Sequence, residues 1–419
     1  MKNLHKNLQN DAQIMIENII ADNLPHKAVI ESLEAHEFKG NIFVVAIGKA
    51  AWTMAKAASD YLGDRLVKGI VVTKYNHSQG DLPRIDIYEA GHPVSDENTV
   101  IATSKCVEMA EKLTEEDELV FLVSGGGSAL FEMPLNNMPL GELQSINSQL
   151  LASGADIVEI NTIRKRMSAV KAGRFAKLVS PAQVLTIILS DVLGDRPDSI
   201  ASGPTAPDST TTEDVQKVIE KYDIKLTEKQ KKLLQIETPN ELHNVNTVIT
   251  GGVKTLCESA KKVAEKLGYT PYLLTTTLSC EASEAGRFMS AIATDIISGQ
   301  SYFKKPCAII AGGETVVTLK GKGEGGRNQE LALAAAKGID GLDNVLLFSL
   351  GSDGTDGPTD AAGGVADGET INKLKNKGLD IDKILADNDS YNGLKAIDSL
   401  IITGPTGTNI NDVTVLLCK

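Results

Sequence analysis

Leu119-Val-Phe-Leu-Val-Ser124-Gly-Gly-Gly-Ser128 is a continuous apolar run that stops at three glycines held between two serines. A run this short, without polar alternation, reads as a strand buried on both faces, the kind found in parallel sheets. Each glycine in the turn costs about 0.5–1 kcal/mol relative to alanine, so three together are expected where the backbone approaches a ligand. Their N–H groups would then form an anion-binding nest. A tight strand-to-helix turn is the other explanation of the same residues.

Three more strand-like runs end in related turns. Val-Ala-Ile-Gly48-Lys49 closes the run from Ile42 and leads into an alanine-rich helix to about Leu62. Ile-Leu-Ser190-Asp191-Val-Leu-Gly194-Asp195 closes the run 184–190, and Leu-Phe-Ser-Leu-Gly351-Ser352-Asp353-Gly354-Thr355-Asp356 closes 345–351. Further strands are expected at 69–73, 85–88, 246–250, 270–276, 307–312, 315–319 and 412–418. Helices are expected at 9–33, 139–152, 252–266, 281–299 and 328–337, with another starting at Ser95. Strand and helix alternate through the N-terminal half, which implies βαβ units around a parallel sheet. Ligands collect at the carboxyl ends of such strands. Amides, hydroxyls, a lysine and several aspartates there suit a phosphate ester and its metal ion, and so point to phosphoryl transfer.

A chain of 419 residues exceeds what one core supports, so two domains are expected. The charged helical stretch 208–243, with Lys229, Lys231 and Lys232, is the candidate boundary, near residue 240, although a solvated helix face is the simpler explanation of the same residues. The formal charge of −13 argues against nucleic-acid or anionic-membrane partners, which need a basic surface. Five widely spaced cysteines without a C-x-x-C pair are expected to be reduced thiols of a cytosolic protein. The N-terminal residues show no signal-peptide pattern and no window has the length of a membrane span, so a cytoplasmic location is expected.

Individual residues sharpen the chemistry. Lysine at a helix N-terminus is electrostatically unhelpful unless an anion sits there, which makes Lys49 a candidate phosphate ligand; a lysine snorkelling at a helix start is the plainer alternative. The basic segment Asn161 to Arg174 would put Arg164, Ser168 and Lys171 on one face if helical, able to neutralise a phosphate tail or a substrate carboxylate, or simply to face solvent. Asp191, Asp195, Asp353, Asp356 and Asp360 follow strands, where they could ligate Mg²⁺, accept a hydroxyl proton or close Asx-turns. Asp191 is the favoured one.

Gly321-Lys-Gly323-Glu-Gly325-Gly326-Arg327 matches G-x-G-x-x-G and opens a helix. A dinucleotide site would have that fingerprint early in a domain, with an acid about 20 residues on. Asp343 falls short of that spacing, so the stretch reads better as presenting Arg327, supported by Glu314, to a phosphate. His92 reads as an exposed-turn histidine that could hold substrate, with a structural hydrogen bond as the plainer explanation. Walker A, G-x-S-x-G and H-E-x-x-H patterns are absent from the sequence.

AIGKAAWTMAKA, EAGHPVSDENT, LVSGGGSALFEMP, EINTIRKRMSAVKAGR, ILSDVLGDRPDSIASGPTAPD, AGGETVVTLKGKGEGGRNQELAL, LGSDGTDGPTDAAGG and GPTGTNINDV together resemble the glycerate 2-kinase family, two-domain enzymes with a C-terminal MOFRL domain. The blocks run in order from about residue 40 to the C-terminus. The resemblance implies ATP-dependent phosphorylation of D-glycerate at its 2-hydroxyl, with Mg²⁺ or a similar ion, in a cleft between two α/β domains. It also implies Lys49 and Arg327 as active-site residues. The expected fold is therefore α/β: a Rossmann-like three-layer sandwich on a mainly parallel sheet over 1–240, and a mixed-sheet α/β domain over 241–419.

The expected roles follow. Lys49 and Arg327 spread charge on the transferring phosphoryl group, and Asp191 binds Mg²⁺ or orients the attacking hydroxyl. Asp353 and Asp356 assist the metal. Ser124, Gly125, Gly126, Gly127 and Ser128, with Lys171 and Glu314, hold the nucleotide or substrate. Partners are D-glycerate and ATP, and the chain acts as a monomer or homodimer. An NAD(P)-dependent hydroxypyruvate reductase using the 321–326 glycines is the alternative.

Overall fold

The computed structural model describes residues 2–190 and 196–419. They form two compact units, Pro25–Thr250 and a second made of the segment up to Leu24 with Gly251–Lys419. The N-terminal helix thus belongs with the C-terminal unit, unlike the expected division at 240. Two local causes account for the difference. The stretch expected as one helix over 9–33 is two, Lys2–Asp22 and Pro25–Glu34, with Pro25 opening the second as its first residue. The strand expected to start the second domain, Val245–Gly251, instead forms an edge of the first sheet.

The first unit is built on six strands: β1 (Asn41–Ile47), β2 (Leu66–Lys74), β3 (Ile85–Ala90), β4 (Asp117–Val123), β5 (Gln183–Leu189) and β6 (Val245–Gly251), in the order β3-β2-β1-β4-β5-β6. β1 pairs in parallel with β2 and with β4, β2 with β3, and β4 with β5. The chain therefore runs outward from β1 to one edge and returns to the other side of β1 at β4. That reversal is the switch point at which doubly wound sheets bind ligands. Ile47 is in register with Val123, so the turns after β1 and β4 emerge side by side. β4 is buried along its whole length, as its unbroken apolar run requires. Behind it Phe121, Phe131 and Phe175 pack with ring centroids 5.0–5.7 Å apart.

The second unit holds β7 (Thr270–Leu278), β8 (Cys307–Gly313), β9 (Val345–Gly351), β10 (Gly363–Asp367), β11 (Leu400–Ile401) and β12 (Asp412–Cys418), in the order β11-β10-β9-β12-β8-β7. Only β7 and β8 pair in parallel; β8–β12, β12–β9, β9–β10 and β10–β11 are antiparallel. The fully buried β12 is central, and its first residue, Asp412, lies opposite both Gly313 and Gly351. Two strand ends and one strand beginning thus meet at one edge. The strand expected over 315–319 does not form; Val316 makes a single bridge to Glu281. The helix Arg327–Gly338 is buried over most of its length against the helix Ala282–Ser298, where a side chain at Gly286 would strike the Leu331 carbonyl.

Among the described residues no helix is long and apolar enough to cross a membrane. All five cysteines are free thiols, four of them buried.

Candidate active site

In the first unit the switch point brings Gly48-Lys49 and the serine–glycine loop together. The Lys49 N–H donates to the Gly125 carbonyl at 2.8 Å. Ser124 Oγ accepts from Ala50 N at 3.0 Å and donates to the Ile47 carbonyl at 3.2 Å. Gly48 (φ +111°) and Gly126 (φ +84°) lie in the left-handed half of conformational space. A methyl group on Gly126 would lie 3.1 Å from His92 Nε2 and 3.3 Å from Lys49 Cγ, so these two side chains flank the loop. His92 is thus drawn to the site itself. A methyl on Gly127 would lie 2.8 Å from Ala201 Cβ. The glycines are needed because backbone and neighbours approach closely, which leaves a short concave turn beside a lysine.

Gly48 offers a direct check on this geometry. A Cβ there would sit 2.4 Å from both the Ser124 carbonyl oxygen and its Oγ, at a φ that L-residues avoid. Gly48→Ala is expected to destabilise the protein by more than about 2 kcal/mol. An unchanged urea midpoint would mean that β1 and β4 do not end in this contact.

Lys171 is buried against the turn that follows the loop. Its fully buried ammonium donates to the carbonyls of Ser128 (2.8 Å) and Phe131 (2.9 Å) and pairs with Glu132 at 3.3 Å. All three of its donors are engaged, so the cofactor-binding role expected for it becomes one of holding the loop. The helical stripe with Arg164 and Ser168 does not form, because the helix Ile157–Arg166 ends first. Most of the basic segment is structural. Arg166 donates to the Ile236 and Thr210 carbonyls and pairs with Glu237; Lys165 is 3.6 Å from both Asp198 and Asp208; Arg174 donates to carbonyls at that helix's end, among them Ser168 at 2.6 Å. Asp191, with Gly194 and Asp195, lies outside the described residues.

In the second unit Arg327 opens its helix beside the edge where β8, β9 and β12 meet. Asp412 accepts from its Nε at 2.6 Å and its Nη2 at 3.1 Å, a bidentate pair, and Glu314 accepts from Nη1 at 3.0 Å. Three of the five guanidinium N–H groups are engaged, and the side chain keeps a third of its surface exposed. Burial works against the Arg327 charge, but Asp412 and Glu314 outweigh it and raise its pKa above that of ordinary arginine. Burial raises the Asp412 pKa despite Arg327. Two donors on two oxygens is nonetheless the geometry of a charged pair.

Asp356 does not fit a metal ligand. Its carboxylate accepts from the backbone N–H groups of Asn328 (3.2 Å) and Gln329 (2.9 Å) at the start of the same helix, satisfying donors that every helix leaves open. Burial first, and the nearby Asp412 carboxylate second, push its pKa up to about 7 against the pull of those N–H groups. The native protein therefore binds this proton more tightly than the unfolded chain. The associated stability is full below about pH 4 and is lost as pH rises towards 7. Between pH 5 and 8 the wild type is expected to lose stability relative to Asp356→Asn; parallel urea midpoints across that range would contradict the assignment.

Asp353 sits at the end of β9, where its Oδ1 accepts from Thr355 N at 3.0 Å. Mg²⁺ usually takes one or two carboxylates with substrate phosphates, so Asp353 fits a nucleotide-borne ion. Among the described residues no cluster of three acidic, histidine or cysteine side chains is arranged to hold a metal alone. Asp412 escaped the sequence reading. It begins a strand instead of ending one, and only the antiparallel course of β12 carries it to the same edge.

The 321–326 glycines do not form a dinucleotide loop. The N–H groups of Lys320 and Gly321 donate to Asn388 Oδ1, that of Lys322 to Asp387 Oδ1, that of Gly323 to the Asp387 carbonyl and that of Glu324 to Asp389 Oδ1. With these five amides already taken, the first glycines of the pattern cannot give their N–H groups to a pyrophosphate. The glycines let this stretch lie against the 387–390 turn, where a Cβ at Gly321 would come within 2.3 Å of Asp387 backbone.

Two family models match the chain: a domain of unknown function (DUF4147) over residues 11–235 and the MOFRL family over 307–412. A Thermotoga maritima protein named D-glycerate 2-kinase is 53% identical over 391 residues, spanning 93% of this chain and 94% of its own. The crystal structure of glycerate kinase from Thermotoga maritima superposes with a TM-score of 0.93 at 51% identity, covering 99% of this chain and 100% of that one. An Agrobacterium vitis protein named putative hydroxypyruvate reductase is 38% identical, over 94% of this chain and 90% of its own. The reductase name belongs to the more distant relative, and the engaged 321–324 amides give it no cofactor loop here. By family models, sequence and fold, the chain belongs to the glycerate kinase family with a C-terminal MOFRL domain.

Proposed function

We propose that this protein phosphorylates the 2-hydroxyl of D-glycerate with ATP, giving 2-phosphoglycerate and ADP. The observation that carries the reading is the pairing of Lys49 with the Ser124–Ser128 loop at the switch point of a doubly wound sheet, in a chain 53% identical to a D-glycerate 2-kinase.

Phosphoryl transfer asks little covalent chemistry of the protein and much electrostatic positioning. Lys49 supplies positive charge beside the loop, whose amides take phosphate oxygens in the manner of a nest. Arg327, with two N–H groups left after Asp412 and Glu314, is the cation that the second unit offers a phosphate. Asp412 and Glu314 fix its plane. Mg²⁺, when bound with the nucleotide, neutralises phosphate charge, and Asp353 would supply it a carboxylate. Asp191 is assigned the attacking hydroxyl or the metal on its position after β5.

The test is ADP release from ATP and Mg²⁺ with D-glycerate, run against hydroxypyruvate with NADH. ADP formed only when D-glycerate is present supports the kinase; NADH oxidation without ADP release would replace it with the reductase.

A further inference from the structure

Glu132 is four residues beyond Ser128, and its side chain is only 3% exposed. One oxygen, Oε2, pairs with Lys171, but the other, Oε1, is buried without a hydrogen-bond partner. Arg164 shows the complementary defect. Its Nε is buried and unpartnered, and its guanidinium makes no ion pair or hydrogen bond to a described residue, although every other arginine and lysine from 164 to 174 does. Their segments run side by side: the Ala169 N–H donates to the Met133 carbonyl and the Leu135 N–H to the Met167 carbonyl, both at 2.8 Å. Burial lowers the Arg164 pKa and the Glu132 charge opposes that fall. A buried carboxylate oxygen and a buried guanidinium nitrogen of opposite charge thus share one neighbourhood without touching. Leaving such groups unsatisfied is costly, and each one in a native protein calls for an explanation.

The surroundings join this pair to the glycine loop. Lys171 bridges Glu132 to the Ser128 and Phe131 carbonyls. Ser128 Oγ lies 3.1 Å from Ser202 Oγ, and the Ser202 carbonyl accepts from Ala172 N. Ala172, Ala201 and Ser202 all have left-handed φ values of 51–60°, which non-glycine residues adopt at a cost. The strain is concentrated around the same few atoms.

A ligand that satisfies both orphans must accept from a guanidinium at one end and donate to a carboxylate at the other. A phosphate does not meet this, since it offers Glu132 only further negative charge. A small hydroxy acid does. We infer that Arg164 and Glu132 form the acceptor subsite, Arg164 binding the carboxylate of the hydroxy acid and Glu132 Oε1 accepting a hydrogen bond from its hydroxyl. This rests on the proposed kinase reading and adds to it the residues that recognise the acceptor. The nucleotide phosphates remain with Lys49 and the loop amides.

The experiment measures KM for D-glycerate and for ATP separately in wild type, Arg164→Gln, Arg164→Lys and Glu132→Gln. Loss of a charge-assisted contact is expected to raise KM for D-glycerate about ten- to a hundredfold in Arg164→Gln while KM for ATP stays within about twofold, with partial recovery in Arg164→Lys. Glu132→Gln is expected to shift the same constant. In the wild type, D-lactate should compete with D-glycerate at least about tenfold better than propionate or propane-1,2-diol, each of which offers one of the two groups. That measurement stands even if a variant fails to fold. An active wild type with equal inhibition by propionate, or with both KM values unmoved or rising together in Arg164→Gln, overturns the subsite alone. A wild type inactive on D-glycerate overturns the subsite together with the kinase reading.

Discussion

Lys49→Ala is expected to lower kcat at least about a hundredfold, the effect of removing one preorganised charge contact from a phosphoryl-transfer site. The Lys49 N–H donates to the Gly125 carbonyl at 2.8 Å, a backbone contact that truncating the side chain leaves in place. The loop should therefore survive the truncation. What disappears is the cation at the end of β1, where the helix start would otherwise disfavour it. Steady-state kinetics with a folded variant decide the point, and near-normal turnover would remove Lys49 from the mechanism.

Arg327→Ala is expected to act twice. Turnover should fall about a hundredfold or more for the same electrostatic reason. Stability should also fall by about 3 kcal/mol, because Asp412, 8% exposed, loses the bidentate partner that compensates its burial. The two effects can be separated. Adding Asp412→Asn to Arg327→Ala removes the stranded charge and should restore most of the urea midpoint while leaving turnover low. Arg327→Lys keeps a positive charge but loses the planar fork, so it should lie between wild type and alanine in both respects. If the double variant regained activity along with stability, Arg327 would be a structural residue.

Much of this site was readable because local sequence and tertiary position agree. The runs Ile42–Ile47 and Leu119–Val123 are strands since nothing but a buried parallel sheet suits them, and the turns that follow must then lie at a carboxyl edge. That their two strands are neighbours was not readable, because strand order depends on which edge each crossover takes. The basic segment shows the opposite case. Arg166 and Lys171 look like a charged face in one dimension but are fully buried, and their partners are mostly backbone carbonyls, which any sequence offers equally. Asp356 was misread for a related reason. A strand-end aspartate that caps a helix 27 residues earlier in the chain has the same local sequence as one that binds a metal. The 321–326 glycines carry a dinucleotide pattern, yet it is the side chains of Asp387, Asn388 and Asp389, over 60 residues away, that occupy their amides.

Phosphorus NMR of a reaction containing the full chain, ATP, Mg²⁺ and D-glycerate tests the account most directly, because it reports donor, acceptor and position at once. The expected spectrum shows ATP converted to ADP with equimolar 2-phosphoglycerate. Formation of 3-phosphoglycerate in its place, or of inorganic phosphate without any phosphoglycerate, would contradict it.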